Sequence, residues 1–97
     1  MVEITLTRKD DGAITEQSTW LDQDRVALED GQSRSIPVTK GRHKLVVRVM
    51  GLPGASSTVS VTGDDLTPPE PKATAIAQGD GFGVARKSFI VGAGGNP

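Results

Sequence analysis

Glycine and proline interrupt this chain at intervals of about eight to twelve residues, a spacing that suits short strands better than helices. The sequence holds 12 Gly and 6 Pro in 97 residues. Between these breaks apolar and polar side chains alternate, as in VEITLT at residues 2–7. Alternation with a period of two places the apolar side chains on one face of a β-strand. The pattern therefore predicts an all-β chain.

The number of strand-like segments predicts a small antiparallel β-sandwich of the Ig-like or fibronectin-like kind, with about seven short strands. A small open barrel made from the same strands is the alternative. One domain is expected over residues 1–92, because a chain of 97 residues supports a single hydrophobic core. Residues 93–97 have no side chain able to anchor them and are expected to form a flexible tail. The proline-rich connection at 64–72 is expected to be a hinge or a crossing between sheets.

Large core side chains are scarce, because aromatic residues make up only 3% of the chain. We expect an interior of Val, Ile, Leu and Ala, to which Phe89 is added. Trp20 either packs in the core, which the scarcity of large side chains favours, or protrudes as a contact residue. The last two strands are expected to form a hairpin that buries Ile76 in its first arm and Phe89 in its second. Phe82 lies at the tip of the GDGFG loop of this hairpin. Its ring either folds back over the core or protrudes as a contact anchor.

The clearest strand pattern is TKGRHKLVVRVMG at residues 39–51, which also carries the only histidine. His43 shares its face with Leu45 and Val47, so we expect it at the edge of the core with a hydrogen bond to the backbone. The histidine and the cations of this strand cannot form one site, because they lie on opposite faces. The cations on the other face are Arg42, Lys44 and Arg48.

Two interpretations of this cationic stripe remain open. In the first it is a contact surface, which Arg34 or Lys40 would extend. In the second it is an ordinary solvated face, whose charges pair with Glu29 or Asp30 on a neighbouring strand. The stripe lacks interleaved aromatic residues and the net charge is −1, and both features argue against a nucleic-acid site.

The composition excludes several kinds of chemistry. Disulfides, thiolate metal sites and cysteine nucleophiles are excluded, because the chain has no cysteine. A single histidine without a paired nucleophile predicts a protein that is not an enzyme, with no catalytic residue, metal or cofactor. No apolar run approaches the roughly 18 residues that span a bilayer, and MVEITLTRKDD lacks the layout of a signal peptide. We therefore expect a soluble chain that is not inserted in a membrane, and its compartment is unknown.

Acidic loops offer an alternative function. Carboxylates cluster at Asp22, Asp24, Glu29 and Asp30, and again at Asp64 and Asp65. A glycan- or calcium-binding domain would use loops 22–30, 64–65 and 79–83, provided that acidic loops meet at one end of the sandwich. The residues after Asp24 do not follow the helix-loop-helix calcium pattern. Solvated turns are the competing interpretation of these carboxylates.

Residues 32–51, QSRSIPVTKGRHKLVVRVMG, resemble the paired strands of bacterial PEGA-type and related Ig-like accessory domains. In those domains a polar alternating strand leads through a glycine turn into a G-x-H-x-L-x-V strand, which corresponds here to Gly41, His43, Leu45 and Val47. The resemblance implies a non-enzymatic surface module, often part of a larger envelope or assembly protein. It implies no catalytic residues.

The sequence thus predicts a non-catalytic module that acts through protein–protein contact or as a structural component of a larger assembly. Its partner would be another protein or a second copy of the chain, with a small ligand or glycan as the alternative. The candidate contact surface consists of Arg42, Lys44, Arg48 and Phe82.

Overall fold

Nine β-strands run through residues 2–92, which are the residues that the computed structural model describes. They are β1 (Val2–Asp11), β2 (Ile14–Leu21), β3 (Asp24–Val26), β4 (Ser33–Val38), β5 (Gly41–Gly51), β6 (Ser56–Thr62), β7 (Leu66–Thr67), β8 (Lys72–Ile76) and β9 (Phe82–Val91). No helix occurs between residues 2 and 92. The all-β prediction is confirmed. The predicted flexible tail, 93–97, lies outside the described residues.

The strands form two antiparallel sheets that pack face to face. One sheet has the order β4-β1-β6-β8, and the other has the order β3-β2-β5-β9-β7. The structure is therefore a β-sandwich, as predicted, and not a closed barrel. It has more strands than the seven or so expected, and one that was not expected is the very short β7 within the proline-rich connection.

The core lies between the inner faces of the two sheets, and β5 has the predicted parity. His43, Leu45, Val47 and Val49 are buried, whereas the three cations of β5 are exposed. Phe89 is buried as predicted and is 1% exposed. The other large side chains that are almost fully buried are aliphatic: Ile4, Leu6, Leu45, Val47, Val59, Val61 and Val91.

Trp20 lies on the outer face of the five-stranded sheet, so its predicted place in the core is wrong. Ile14 and Glu16 are two residues apart, yet they pair with adjacent residues of β5. The extra residue is a β-bulge, which reverses the direction of the side chains that follow it. Ile14, before the bulge, packs against the core, and Leu21, after it, is buried. Trp20 and Ile14 both have even numbers, so regular alternation would place them on one face, but the bulge turns the Trp20 side chain to the outer face.

The connection after β6 crosses between the sheets, as predicted. β6 belongs to the four-stranded sheet, β7 adds two residues to the five-stranded sheet, and β8 returns to the four-stranded sheet. Proline suits such a segment, because it fixes an extended backbone without requiring a ladder hydrogen bond.

The chain crosses between the sheets again after β8, so the predicted final hairpin is wrong. β8 pairs with β6, whereas β9 pairs with β5 and β7. The predicted burial of Ile76 is also wrong, since its side chain is 48% exposed and the alanines around it face inward. β8 and β9 approach closely at Gly83, where a Cβ atom would lie 2.6 Å from the carbonyl carbon of Ile76. The inward face of β8 therefore has space only for small side chains.

Candidate functional site

His43 occupies a closed hydrogen-bonded position at the edge of the core. Its Nδ1 lies 2.8 Å from a carboxylate oxygen of Asp22, and its Nε2 lies 2.7 Å from the carbonyl oxygen of Thr39. The ring is 7% exposed and lies 5.8 Å from the Phe89 ring, centroid to centroid. Both partners accept hydrogen bonds, so both ring nitrogens serve as donors and the geometry fits the imidazolium form. Neither nitrogen remains for a nucleophile or a metal ion.

The surroundings of His43 shift its pKa in opposite directions. Burial lowers the pKa, but the hydrogen bond to Asp22, the hydrogen bond to Thr39 and the charge of Asp22 raise it. The net result is a pKa above the ordinary value of 6.5.

We expect the free energy of unfolding to fall as the pH rises from 6.5 through the folded-state pKa of His43. Below 6.5 the ring is protonated in both the folded and the unfolded chain, and its stabilising effect is complete. Above the folded-state pKa the ring is neutral in both, and that effect is lost. Urea denaturation at about pH 5.5 and pH 8.5 measures the difference. The His43→Gln variant should show a smaller difference in unfolding free energy between the two pH values. Equal differences in the variant and the original protein would contradict the prediction.

A buried polar network joins the two sheets away from His43. Arg8 donates two hydrogen bonds to the Asp10 carboxylate, at 2.9 and 2.6 Å, and a third to the Leu28 carbonyl oxygen at 2.7 Å. Ser57 donates to Asp10 at 2.6 Å and accepts from Gln17 of the opposite sheet at 3.3 Å. We did not predict this network. One sequence feature could have indicated it: Arg8 and Asp10 share the parity of the buried residues of β1, so their side chains point inward.

The acidic loops do not converge on one site. The Asp22 carboxylate binds His43 near the start of β5, and the Asp65 backbone carbonyl accepts a hydrogen bond from the Gly92 backbone N–H just after β9, at the same end of the sandwich. Asp30 lies at the opposite end, where its carboxylate accepts a hydrogen bond from the Asp10 backbone. Residues 2–92 contain no group of three His, Asp or Glu side chains arranged to hold a metal ion. Loops 22–30, 64–65 and 79–83 therefore do not all meet at one end of the sandwich.

The four residues of the candidate contact surface lie on one face. This surface, which we call the outer β2–β5–β9 face, is the solvent side of the three adjacent strands β2, β5 and β9. Cross-strand partners place its side chains in rows. Three rows cross all three strands: Glu16–Met50–Phe82, Ser18–Arg48–Val84 and Trp20–Val46–Arg86. Two further rows, Lys44–Ser88 and Arg42–Ile90, continue along β5 and β9.

The cations of this face have no ion-pair partner within residues 2–92. The ion pairs of that range are Arg8–Asp10 and His43–Asp22, so the predicted pairing of the stripe with Glu29 or Asp30 does not occur there. Arg34 does not extend the stripe, because it belongs to β4 of the other sheet. Arg86 of β9 extends it instead, in the row next to Arg48.

Large apolar side chains are exposed beside these cations. Phe82 is 52% exposed, Val84 48% and Met50 37%, so Phe82 protrudes and does not fold back over the core. Two shallow depressions of about 390 and 400 Å³ adjoin here, and both are lined by Arg48 and Val84. Trp20 lines the first depression, and its buried indole N–H has no hydrogen-bond partner among residues 2–92.

The sequence did not reveal three members of this face. Trp20 was assigned to the core because the bulge in β2 leaves no trace in the alternation pattern. Val84 and Arg86 lie in a strand with a clear period of two, but only the pairing of β9 with β5 places them beside Arg48.

No family model matches the chain, and comparisons with curated proteins and with solved structures find no significant match. The resemblance of residues 32–51 to PEGA-type domains therefore stays a prediction. No helix in the described range is long and apolar enough to cross a membrane.

Proposed function

We propose that this chain is a non-catalytic β-sandwich module that acts through protein–protein contact, and that it uses the outer β2–β5–β9 face. The observation that carries the proposal is the coincidence of exposed large apolar side chains and unpaired cations on one side of one sheet. Either feature alone is common on a protein surface.

The composition of the face supports this proposal. Trp, Phe, Met and Arg are the residue types that protein interfaces favour, and Trp and Arg are frequent among the residues that contribute most to binding. Five residues of these types occupy neighbouring rows of three strands here: Trp20, Arg48, Met50, Phe82 and Arg86. The sheet fixes the backbone of these residues, so binding has to order only their side chains.

The opposite side of the sandwich provides a contrast. The outer face of the four-stranded sheet carries hydroxyl side chains, and several of them satisfy one another across strands. Thr7 bonds Ser33 at 2.8 Å, and Thr58 bonds Thr74 at 2.9 Å. This face has few large apolar side chains for a protein partner to cover, so it can serve as a matched control surface.

Site-specific photocrosslinking in the source cells tests the proposal. A benzophenone amino acid is placed at Val84, and at Thr74 as the control, since both positions are exposed and lie within strands. We expect a discrete crosslinked species from Val84 and none from Thr74, with the Val84 product lost when Arg48→Glu is added. A product of about twice 10.1 kDa would identify a second copy, and a different mass would identify another protein. The absence of any product from Val84, or the same products from both positions, would contradict the proposal.

A further inference from the structure

We infer that the outer β2–β5–β9 face binds an extended acidic polypeptide segment that has apolar side chains at one end. This inference rests on the proposed function and specifies the chemistry of the partner. It follows from how charge and apolar surface are distributed on the face.

The most exposed apolar side chains and most of the cations lie towards opposite ends of the face. Met50, Phe82 and Val84 lie at the end where β9 begins, and the exposed Leu52 lines a small depression together with Met50 and Phe82. The cations begin in the row that Arg48 shares with Val84 and continue along β5 and its neighbours. They are Arg48, Arg86, Lys44 and Arg42, joined by Arg25, which β3 places opposite Trp20. A complementary ligand therefore has an apolar end followed by negative charges.

The same distribution argues against a second copy bound face to face. Two identical faces would bring the cations of one copy onto either the cations or the apolar end of the other, and neither arrangement is complementary. Close like charges oppose association, and the face has few carboxylates to offset them. Glu16 lies at the apolar end, and the Asp22 carboxylate is already bound to His43 and to the Lys44 backbone.

The spacing of the aromatic rings argues against a nucleic acid. Trp20 and Phe82 are two rows apart along the strands and two strands apart across the sheet. With strand dimensions of about 3.4 Å per residue and 4.8 Å between strands, their positions differ by about 14 Å in one direction and about 10 Å in the other. Successive stacked bases require aromatic platforms much closer together than this. The aliphatic side chains between the rings suit an apolar peptide side chain better.

The position of β5 determines how the segment is recognised. β5 lies between β2 and β9, so its backbone hydrogen bonds are used within the sheet and side chains alone make the contact. From Met50 to Arg42 the face extends eight residues along β5, or about 27 Å. An extended peptide of roughly eight to ten residues covers that length. The shallow depressions fit single side chains of such a segment.

Trp20 allows a direct test, because it is the only tryptophan in the chain and lies on this face. The probe is a synthetic ten-residue peptide without tryptophan, with three leucines followed by glutamates. Its controls are the same peptide with lysines in place of the glutamates and a ten-nucleotide oligothymidylate. Binding is measured by the change in Trp20 fluorescence at low ionic strength and again at about 0.3 M salt, where exposed charges are screened.

We expect the acidic peptide to change the Trp20 emission saturably, and to bind roughly tenfold or more tightly than the lysine peptide. Arg48→Glu should weaken binding by about tenfold, whereas Lys72→Glu, the same charge change on the opposite sheet, should weaken it less than about twofold. The inference is overturned if no acidic peptide binds, if both variants weaken binding equally, or if oligothymidylate binds as tightly. Photocrosslinking from Val84 distinguishes failure of this inference from failure of the proposed function. If the acidic peptide does not bind but Val84 still gives a discrete product, the face contacts a protein partner with other chemistry.

Discussion

Gly83→Ala is expected to lower the free energy of unfolding by about 3 kcal/mol, near the upper end of overpacking effects. The added Cβ atom would lie 2.6 Å from the carbonyl carbon and 3.1 Å from the backbone nitrogen of Ile76. Backbone atoms cannot move aside by a change of rotamer, so the crossing of β8 and β9 must open. For a domain of this size, the expected decrease in melting temperature is roughly 12 to 24 °C.

Gly79→Ala is the matched control for this experiment. A Cβ atom at Gly79 would meet nothing within 4 Å, and the residue belongs to the same glycine-rich segment. Its melting temperature should change by only a few degrees, in either direction. Thermal unfolding followed by circular dichroism compares the two variants. Equal melting temperatures for them would show that close packing of β8 against β9 does not stabilise the sandwich.

Asp10→Ala is expected to destabilise the protein by a similar amount, about 3 kcal/mol. Arg8 and Asp10 have side chains that are 13% and 9% exposed, so the substitution leaves a mostly buried guanidinium without its counter-charge. The Ser57 hydroxyl, which is fully buried, also loses its acceptor. Unfolding in urea at neutral pH measures the loss of stability.

Asp11→Ala is the control for the neighbouring position, because Asp11 is exposed and forms no ion pair within residues 2–92. It should cost less than about 0.5 kcal/mol. The double variant Arg8→Met with Asp10→Leu should be more stable than Asp10→Ala, because it removes both charges together. Similar losses for Asp10→Ala and Asp11→Ala would rule out a stabilising role for the network.

The same network makes the protein sensitive to acid. Burial alone would raise the pKa of Asp10, but the hydrogen bonds from Arg8 and Ser57, together with the charge of Arg8, lower it below its ordinary value of 3.8. A lowered folded-state pKa contributes stability at higher pH, which is lost as the pH falls from 3.8 through the folded-state value. His43 acts in the opposite direction on the alkaline side. The two groups together favour a stability maximum at mildly acidic pH.

Local alternation was sufficient to predict most of the strands and their buried faces. The strand within residues 39–51 was predicted with the correct parity, because the inward side chains of β5 are apolar except for His43. The structural position of His43 followed from the same parity. The candidate contact residues Arg42, Lys44, Arg48 and Phe82 were identified one by one, but nothing in the sequence indicated that the phenylalanine lies on the same face as the cations.

The sequence by itself determined that this chain is all-β, with a buried histidine and a cationic face on one strand, because a period of two is a local property that each strand displays alone. Three features were decided only by the tertiary structure. The bulge in β2 turned Trp20 outward, the crossing after β8 placed β8 and β9 in different sheets, and the pairing of β9 with β5 brought Phe82, Val84 and Arg86 beside Arg48. Each depends on which strands become neighbours and in what register. Those choices are set by contacts between residues far apart in the chain, which local alternation does not encode.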